Sequence, residues 1–283
     1  MSILSDLKQL GFLSSDEEKL FETKEDLQKR KEEAKASTIS RIQEKELIYD
    51  KTFTCPVCGQ NFTSKVMKSG KTRLLSTDLD LRPKYEGIDS NKYDVIQCSN
   101  CHYSVLTKFM APVPSVIAKL LREQIGEKVK VATYEGETYS FEQVLERYKL
   151  ALACAIVKKA KNSEKAYICM KIAWTYRGRR EKLEEDRQLL PITRNELLQH
   201  EAEYLASALD GFLLAEDMEK APICGMDAVT LQYLIATIAY EVGKLDIAAQ
   251  KVGDILVRQG VNVRIKDKAR DLKDMIQEKK KGK

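Results

Sequence analysis

Long hydrophobic runs are missing from this chain. Nowhere in its 283 residues is there an apolar stretch of the roughly 18 residues that a membrane-crossing helix requires. Histidine is scarce, with only His102 and His200. No Ser, His and Asp arrangement points to nucleophilic catalysis, so we expect a protein that is not an enzyme. Six prolines and 13 glycines exclude a collagen-like fibre, and a hydrophobic content of 43% excludes a chain disordered throughout. The first residues lack the basic and apolar regions of a secretory signal, because Asp6 and Lys8 interrupt Ile3, Leu4 and Leu7. A cytoplasmic protein is expected on that basis. Thiols stay reduced there, which favours metal-ligating or core cysteines over disulfides.

Charge is nearly balanced along most of the chain. The net charge is +5, and residues 264–283 hold nine Lys/Arg against four acids, which accounts for the whole excess. A dedicated nucleic-acid binder carries its basic face on the folded body, so the lysines from Glu278 to Lys283 read as a frayed, solubilising helix end.

Three regions follow from composition and periodicity. Residues 1–48 are polar, a helix or linker, with a short amphipathic helix over 1–12 carried by Ile3, Leu4, Leu7, Leu10 and Phe12. Residues 49–112 form a small β-rich module, with β-like runs at Lys51-Thr-Phe-Thr54, Lys65-Val-Met67 and Tyr93-Asp-Val-Ile-Gln97 between glycines and prolines. Residues 113–283 are helical, with helices expected near 115–125, 140–161, 164–180, 193–218, 227–242, 245–259 and 262–280. Ser140-Phe-Glu-Gln143 and Thr193-Arg-Asn-Glu196 read as capping boxes, and Asp227 as an N-cap. Pro191 and Pro222 are expected in breaks. Small and large apolar residues from Leu231 to Ile255, with Gly243 in the break between two helices, resemble a tetratricopeptide repeat. The stretch from Ala153 to Ala173 follows the same pattern more loosely. The fold class is therefore α+β, mainly α: a zinc-ribbon-like β module followed by a tetratricopeptide-like helical array.

The sharpest chemical signal lies in four of the seven cysteines. Cys55-Pro-Val-Cys58 and Cys98-Ser-Asn-Cys101 are two Cys-x-x-Cys pairs, in which a tight turn can aim both thiolates at one ion. Four sulfurs suit a tetrahedral structural zinc. The 39 residues between the pairs exceed the 15–20 usual in a zinc ribbon. Lengthening such a loop costs only about 0.7 kcal/mol, against a metal-binding free energy on the order of 10–16 kcal/mol. An inserted hairpin or loop between Phe62 and Gln97 is implied. Iron in a rubredoxin-like site uses similar knuckles, so the metal is zinc by preference and iron as the alternative. A c-type haem on Cys98-Ser-Asn-Cys101-His102 would need export, and a thioredoxin-like pair would need a βαβ context. His102 can be drawn as a ligand in place of Cys101, although four thiolates already complete the shell. Cys154, Cys169 and Cys224 lie in or beside apolar helical stretches and read as core residues.

Within the insertion, Asp78-x-Asp80-x-Arg82-x-x-Tyr85 admits two readings. Arg82 could grip a carboxylate or phosphate of a ligand, or it could pair internally with an Asp and tie the insertion to the metal module. The second is preferred.

Taken together, Tyr49-Asp-Lys-Thr-Phe-Thr-Cys-Pro-Val-Cys58, Asp78-Leu-Asp-Leu-Arg-Pro-Lys-Tyr85, Tyr93-Asp-Val-Ile-Gln-Cys-Ser-Asn-Cys-His-Tyr103 and Ala173-Trp-Thr-Tyr-Arg177 resemble a bacterial family catalogued as domain of unknown function twenty-two twenty-five, over about residues 45–260. The resemblance implies the same zinc-ribbon-like and tetratricopeptide-like halves, and no established activity. Cys55, Cys58, Cys98 and Cys101 match the family's cysteine pairs. His102 departs from it, since such families often carry Gly there, at a turn position that favours φ > 0. Both halves point to binding: a protein-interaction adaptor whose helical array takes a protein or peptide partner, with no membrane. Nucleic acid is the second choice, because Lys65, Lys68, Lys71, Arg73, Arg82, Lys84 and Lys92 in the insertion are largely offset by acids.

Overall fold

The computed structural model describes residues 23, 24, 27, 28, 43–129 and 136–281. The expected helix over residues 1–12 and nearly all of the polar segment lie outside the described residues. Two antiparallel hairpins with matching loops carry the cysteines. Strand β1 (Ile48–Thr54) pairs with β2 (Asn61–Met67), from Ile48 opposite Met67 to Thr54 opposite Asn61. Further along, β5 (Val95–Gln97) pairs with β6 (Ser104–Leu106). Each hairpin closes over a loop holding one Cys-x-x-Cys. Between them lies the insertion, whose own hairpin joins β3 (Leu74–Thr77) to β4 (Pro83–Tyr85). It continues into a 3-10 turn over Ser90–Tyr93, capped by the Asp89 side chain. Tyr93 belongs to that turn rather than to the strand expected there, because the Asp89 carboxylate takes the Asn91 N–H and starts a helical turn.

Seven helices follow among the described residues. Helix α1 (Ser115–Leu121) runs into a π turn, Arg122–Gly126. The others are α2 (Phe141–Val157), α3 (Asn162–Glu185), α4 (Pro191–Met218), α5 (Ala228–Glu241), α6 (Leu245–Val257) and α7 (Val263–Lys281). The Ser140–Gln143 capping box forms as expected, and Asp227 caps α5 through the Thr230 N–H at 2.7 Å. The second expected capping box does not form. Pro191 is the first helical residue of α4, since its fixed φ suits a helix start and its missing N–H leaves one fewer donor to satisfy. Thr193 is therefore already inside the helix.

Consecutive helices pack on one another from α2 to α7, and α5 also meets α7. Helix α3 is buried around most of its circumference from Ala166 to Gly178. Its contact with α4 depends on Gly211, where a Cβ would come within 2.8 Å of the Ala166 Cβ. At the hinge between α5 and α6, Gly243 holds φ at +79°, and Ala236, Ala239 and Ala248 are fully buried beside it. As far as Lys281 the lysine-rich end is helical rather than frayed as expected. Lys279 Nζ donates to the Tyr240 carbonyl at 3.0 Å, and Lys280 pairs with Asp246 at 2.7 Å. A lysine at the carbonyl end of α5 meets the negative pole of that helix.

Buried polar bonds join the strand module to the helices within the compact unit Leu47–Lys283. Arg147 on α2 donates to Ser64 Oγ and to the Val95 carbonyl, both at 2.8 Å, and stacks on the Tyr139 ring. Tyr148 OH donates to the Asn91 carbonyl at 2.9 Å, and Asn91 Nδ2 reaches Thr175 on α3.

Candidate metal centre

The two knuckles are built alike. In the first, the Cys55 N–H donates to the Gln60 carbonyl and the Gly59 N–H to the Cys55 carbonyl, both at 2.9 Å. In the second, the Cys98 N–H donates to the Tyr103 carbonyl at 2.9 Å and the His102 N–H to the Cys98 carbonyl at 3.0 Å. Gly59 and His102 thus occupy equivalent positions, and both have positive φ, +74° and +58°. The departure of His102 from glycine keeps the turn geometry and takes on left-handed backbone strain. Its ring is not needed as a ligand, because Cys101 is in place.

All four sulfurs lie within 4.8 Å of one another. The nearest pairs run across the knuckles: Cys55 Sγ to Cys101 Sγ and Cys58 Sγ to Cys98 Sγ are each 3.6 Å. A tetrahedron with metal–sulfur bonds of about 2.3 Å has edges of about 3.8 Å, so the donor set fits one ion. Without a cation the thiols compete for protons. Contact with Cys101, then with Cys55, pulls the Cys98 thiol far down. The neighbouring Cys55 and Cys98 sulfurs push Cys101 far up. Cys55 is pushed up to about 11: Cys101 lowers it, but Cys98 and burial outweigh that. Crowded sulfurs of this kind favour a divalent ion, which replaces several protons at once. Cys55, Cys98 and Cys101 are buried and Cys58 is half-buried. The Val57 N–H, inside the first knuckle, points at Cys55 Sγ at 3.4 Å.

The expected core cysteines are placed differently from one another. Cys154 on α2 is buried in the same apolar cluster as the knuckles and receives the Ser104 N–H at 3.4 Å. Burial pushes its thiol up to about 11. Cys169 is buried in the main helical core. Cys224 is half-buried in the α4–α5 connection, its thiol donating to the Ser163 carbonyl.

The Asp78–Arg82 motif pairs internally, but its anchor is the helices rather than the metal module. Arg82, 4% exposed, donates to Asp89 at 3.1 Å and to Glu181 on α3 at 2.9 Å, with Asp78 at 3.5 Å. Asp80 is fully buried, accepts from Trp174 Nε1 at 2.7 Å and forms an ion pair with Arg177 at 3.0 Å. Arg177 also holds Glu201 on α4 and Glu241 on α5. The tip of the insertion is thus tied by its polar groups to α3, whose Arg177 links it on to α4 and α5. Tyr85, grouped with the motif in the sequence, pairs through its backbone with Leu74 across the hairpin and bridges to Ile88. Spacing gave no sign of Glu181, Glu201 or Glu241, because acids on separate helices leave no periodic pattern. His200 is exposed and stacks on Tyr176. Of the basic residues in the insertion, Lys65 pairs with Asp50, and Lys84 pairs with Asp78 and Glu181.

Fold and site together define an α+β, mainly helical protein whose strand module carries a four-cysteine cluster able to hold a metal ion. The chain belongs to a bacterial family: the one described as uncharacterized protein conserved in bacteria (DUF2225) matches residues 48–276. No curated protein and no solved structure matches the chain. No helix among the described residues is long and apolar enough to cross a membrane.

Proposed function

We propose that this protein is a non-enzymatic adaptor in which a structural zinc ion closes the strand module and the helical array binds a protein or peptide. The observation that carries the first half is the sulfur geometry, two like knuckles presenting four thiols at tetrahedral spacing. Such a set is coordinatively closed, and a closed site organises structure without leaving a position for substrate water. The second half is supported by successive packed helices, whose α5–α6 pair resembles a tetratricopeptide repeat in its glycine hinge and buried alanines. Nucleic-acid binding gains less support, since Lys65, Arg82 and Lys84 are already committed to acids.

Elemental analysis of purified, thiol-intact protein tests the metal, with about one zinc per chain expected. A coloured protein with visible absorption would mean iron, and a folded metal-free protein would remove the centre. Cross-linking in native cells tests the adaptor role: a stoichiometric protein partner is expected, retained at high salt. Recovery of the protein alone, or a nucleic-acid complex lost steeply with salt, would overturn it.

A further inference from the structure

One short turn touches both knuckles. Helix α1 widens after Leu121 into the π turn Arg122–Gly126, with the Glu127 N–H donating to the Arg122 carbonyl at 3.0 Å. Hydrogen bonding from i to i+5 brings residues four apart more nearly into line along the helix, and single π turns recur at functional sites. Arg122 and Gly126 are four apart. Arg122 Nη1 donates to the Val57 carbonyl at 2.7 Å, between Cys55 and Cys58. Gly126 rests on the other knuckle, where a Cβ would meet the Cys101 carbonyl oxygen at 3.2 Å and the Cys101 Cα and C at 3.8 Å. Leu121, the last residue of α1, and Ile125, on the π turn, are buried in the apolar cluster that contains Cys55, Cys98 and Cys101.

We infer that this π turn is a clamp on the metal centre, with Arg122 and Gly126 as positioning residues that slow metal release. The inference rests on the metal reading above. Four thiolates around a divalent ion leave a net dianion, and Arg122 places a guanidinium at the loop that carries two of them. Its bond to the Val57 carbonyl fixes that peptide while the Val57 N–H faces Cys55 Sγ. At Gly126 the absence of a side chain lets helix backbone lie directly against the Cys101 peptide, which fixes the second pair of sulfurs relative to the first. Groups that orient metal ligands typically change affinity by about 10–100-fold when removed. Arg122 is partly solvated, so the low end of that range applies to it.

The test is zinc release to a chromophoric chelator from the full-length, zinc-loaded protein. Arg122→Ala and Gly126→Ala are each expected to speed release by roughly tenfold, with Arg122→Lys intermediate because an ammonium can still donate to the Val57 carbonyl. Arg270→Ala on α7, an exposed pair with Asp267, is the control and keeps the wild-type rate. Thermal melting of the zinc-loaded forms reports on general stability. Wild-type release rates in both Arg122→Ala and Gly126→Ala would overturn the clamp, as would faster release from Arg270→Ala to the same degree. Failure of the wild type to bind zinc at all would instead overturn the metal reading.

Discussion

Replacing Arg177 with Met removes the cation that three helices and the insertion share. In the native protein its guanidinium meets Asp80 at 3.0 Å, Glu241 at 2.8 Å and Glu201. Asp80 is fully buried and keeps only the Trp174 N–H and its own turn as partners once Arg177 is gone. Breaking a buried pair by deleting one member costs about 3–5 kcal/mol, because the other charge stays behind. For a unit of this size 1 kcal/mol corresponds to about 2–4 °C in melting temperature, so a fall of roughly 6–20 °C is expected.

The pH dependence separates this cause from lost packing. Glu241 is already raised from 4.5 to about 8 in the native protein, since burial and the nearby Asp80 charge outweigh Arg177. A raised carboxylate contributes stability that is present below its ordinary value and lost as pH rises through the folded one. In the Arg177→Met protein the buried Asp80 charge is left without its cation and Glu201 keeps only Arg180, so the penalty for burying those charges is largest near neutrality and shrinks on acidification. Differential scanning fluorimetry of both proteins from pH 5 to 8 measures it. A melting temperature within about 2 °C of wild type at pH 7, or a deficit that stays constant with pH, would refute the reasoning.

Two further outcomes follow from backbone and packing. Gly178→Ala on α3 puts a Cβ 2.5 Å from Asp89 Oδ2 and 3.0 Å from Arg82 Nη2, so it is expected to destabilise by about 1–3 kcal/mol, read by urea denaturation. Gly59→Ala forces a side chain into φ +74° and is expected to cost about 1–2 kcal/mol, whereas His102→Gly at the equivalent φ +58° is expected to be neutral or stabilising by up to about 1 kcal/mol, compared by thermal melting of the zinc-loaded forms.

The cysteine centre was legible because its information is local. A Cys-x-x-Cys turn fixes its own geometry, and the matching loops of the β1–β2 and β5–β6 hairpins bring the two pairs together across 39 intervening residues. Helix positions were legible for the same reason, since periodicity, the Ser140 box and the Asp227 cap act within a few residues. The Thr193 box failed because two local signals competed, and a proline at a helix start prevailed. The destination of the Asp78–Arg82 motif could not be read locally. Its partners Trp174, Arg177 and Glu181 lie on α3, and Arg177 passes the link on to Glu201 on α4 and Glu241 on α5; Glu201 looks like any exposed acid beside His200 until α3 packs over it.

Neighbours along the chain, then, were enough to set the α+β class, a small strand module ahead of a run of helices, and the identity of four clustered thiols. Only the packed molecule settles that the insertion is tied to α3 and through Arg177 to α4 and α5, and that a π turn backs both knuckles. Those arrangements depend on which buried charges and backbone surfaces meet once the helices pack, and no spacing between residues encodes that.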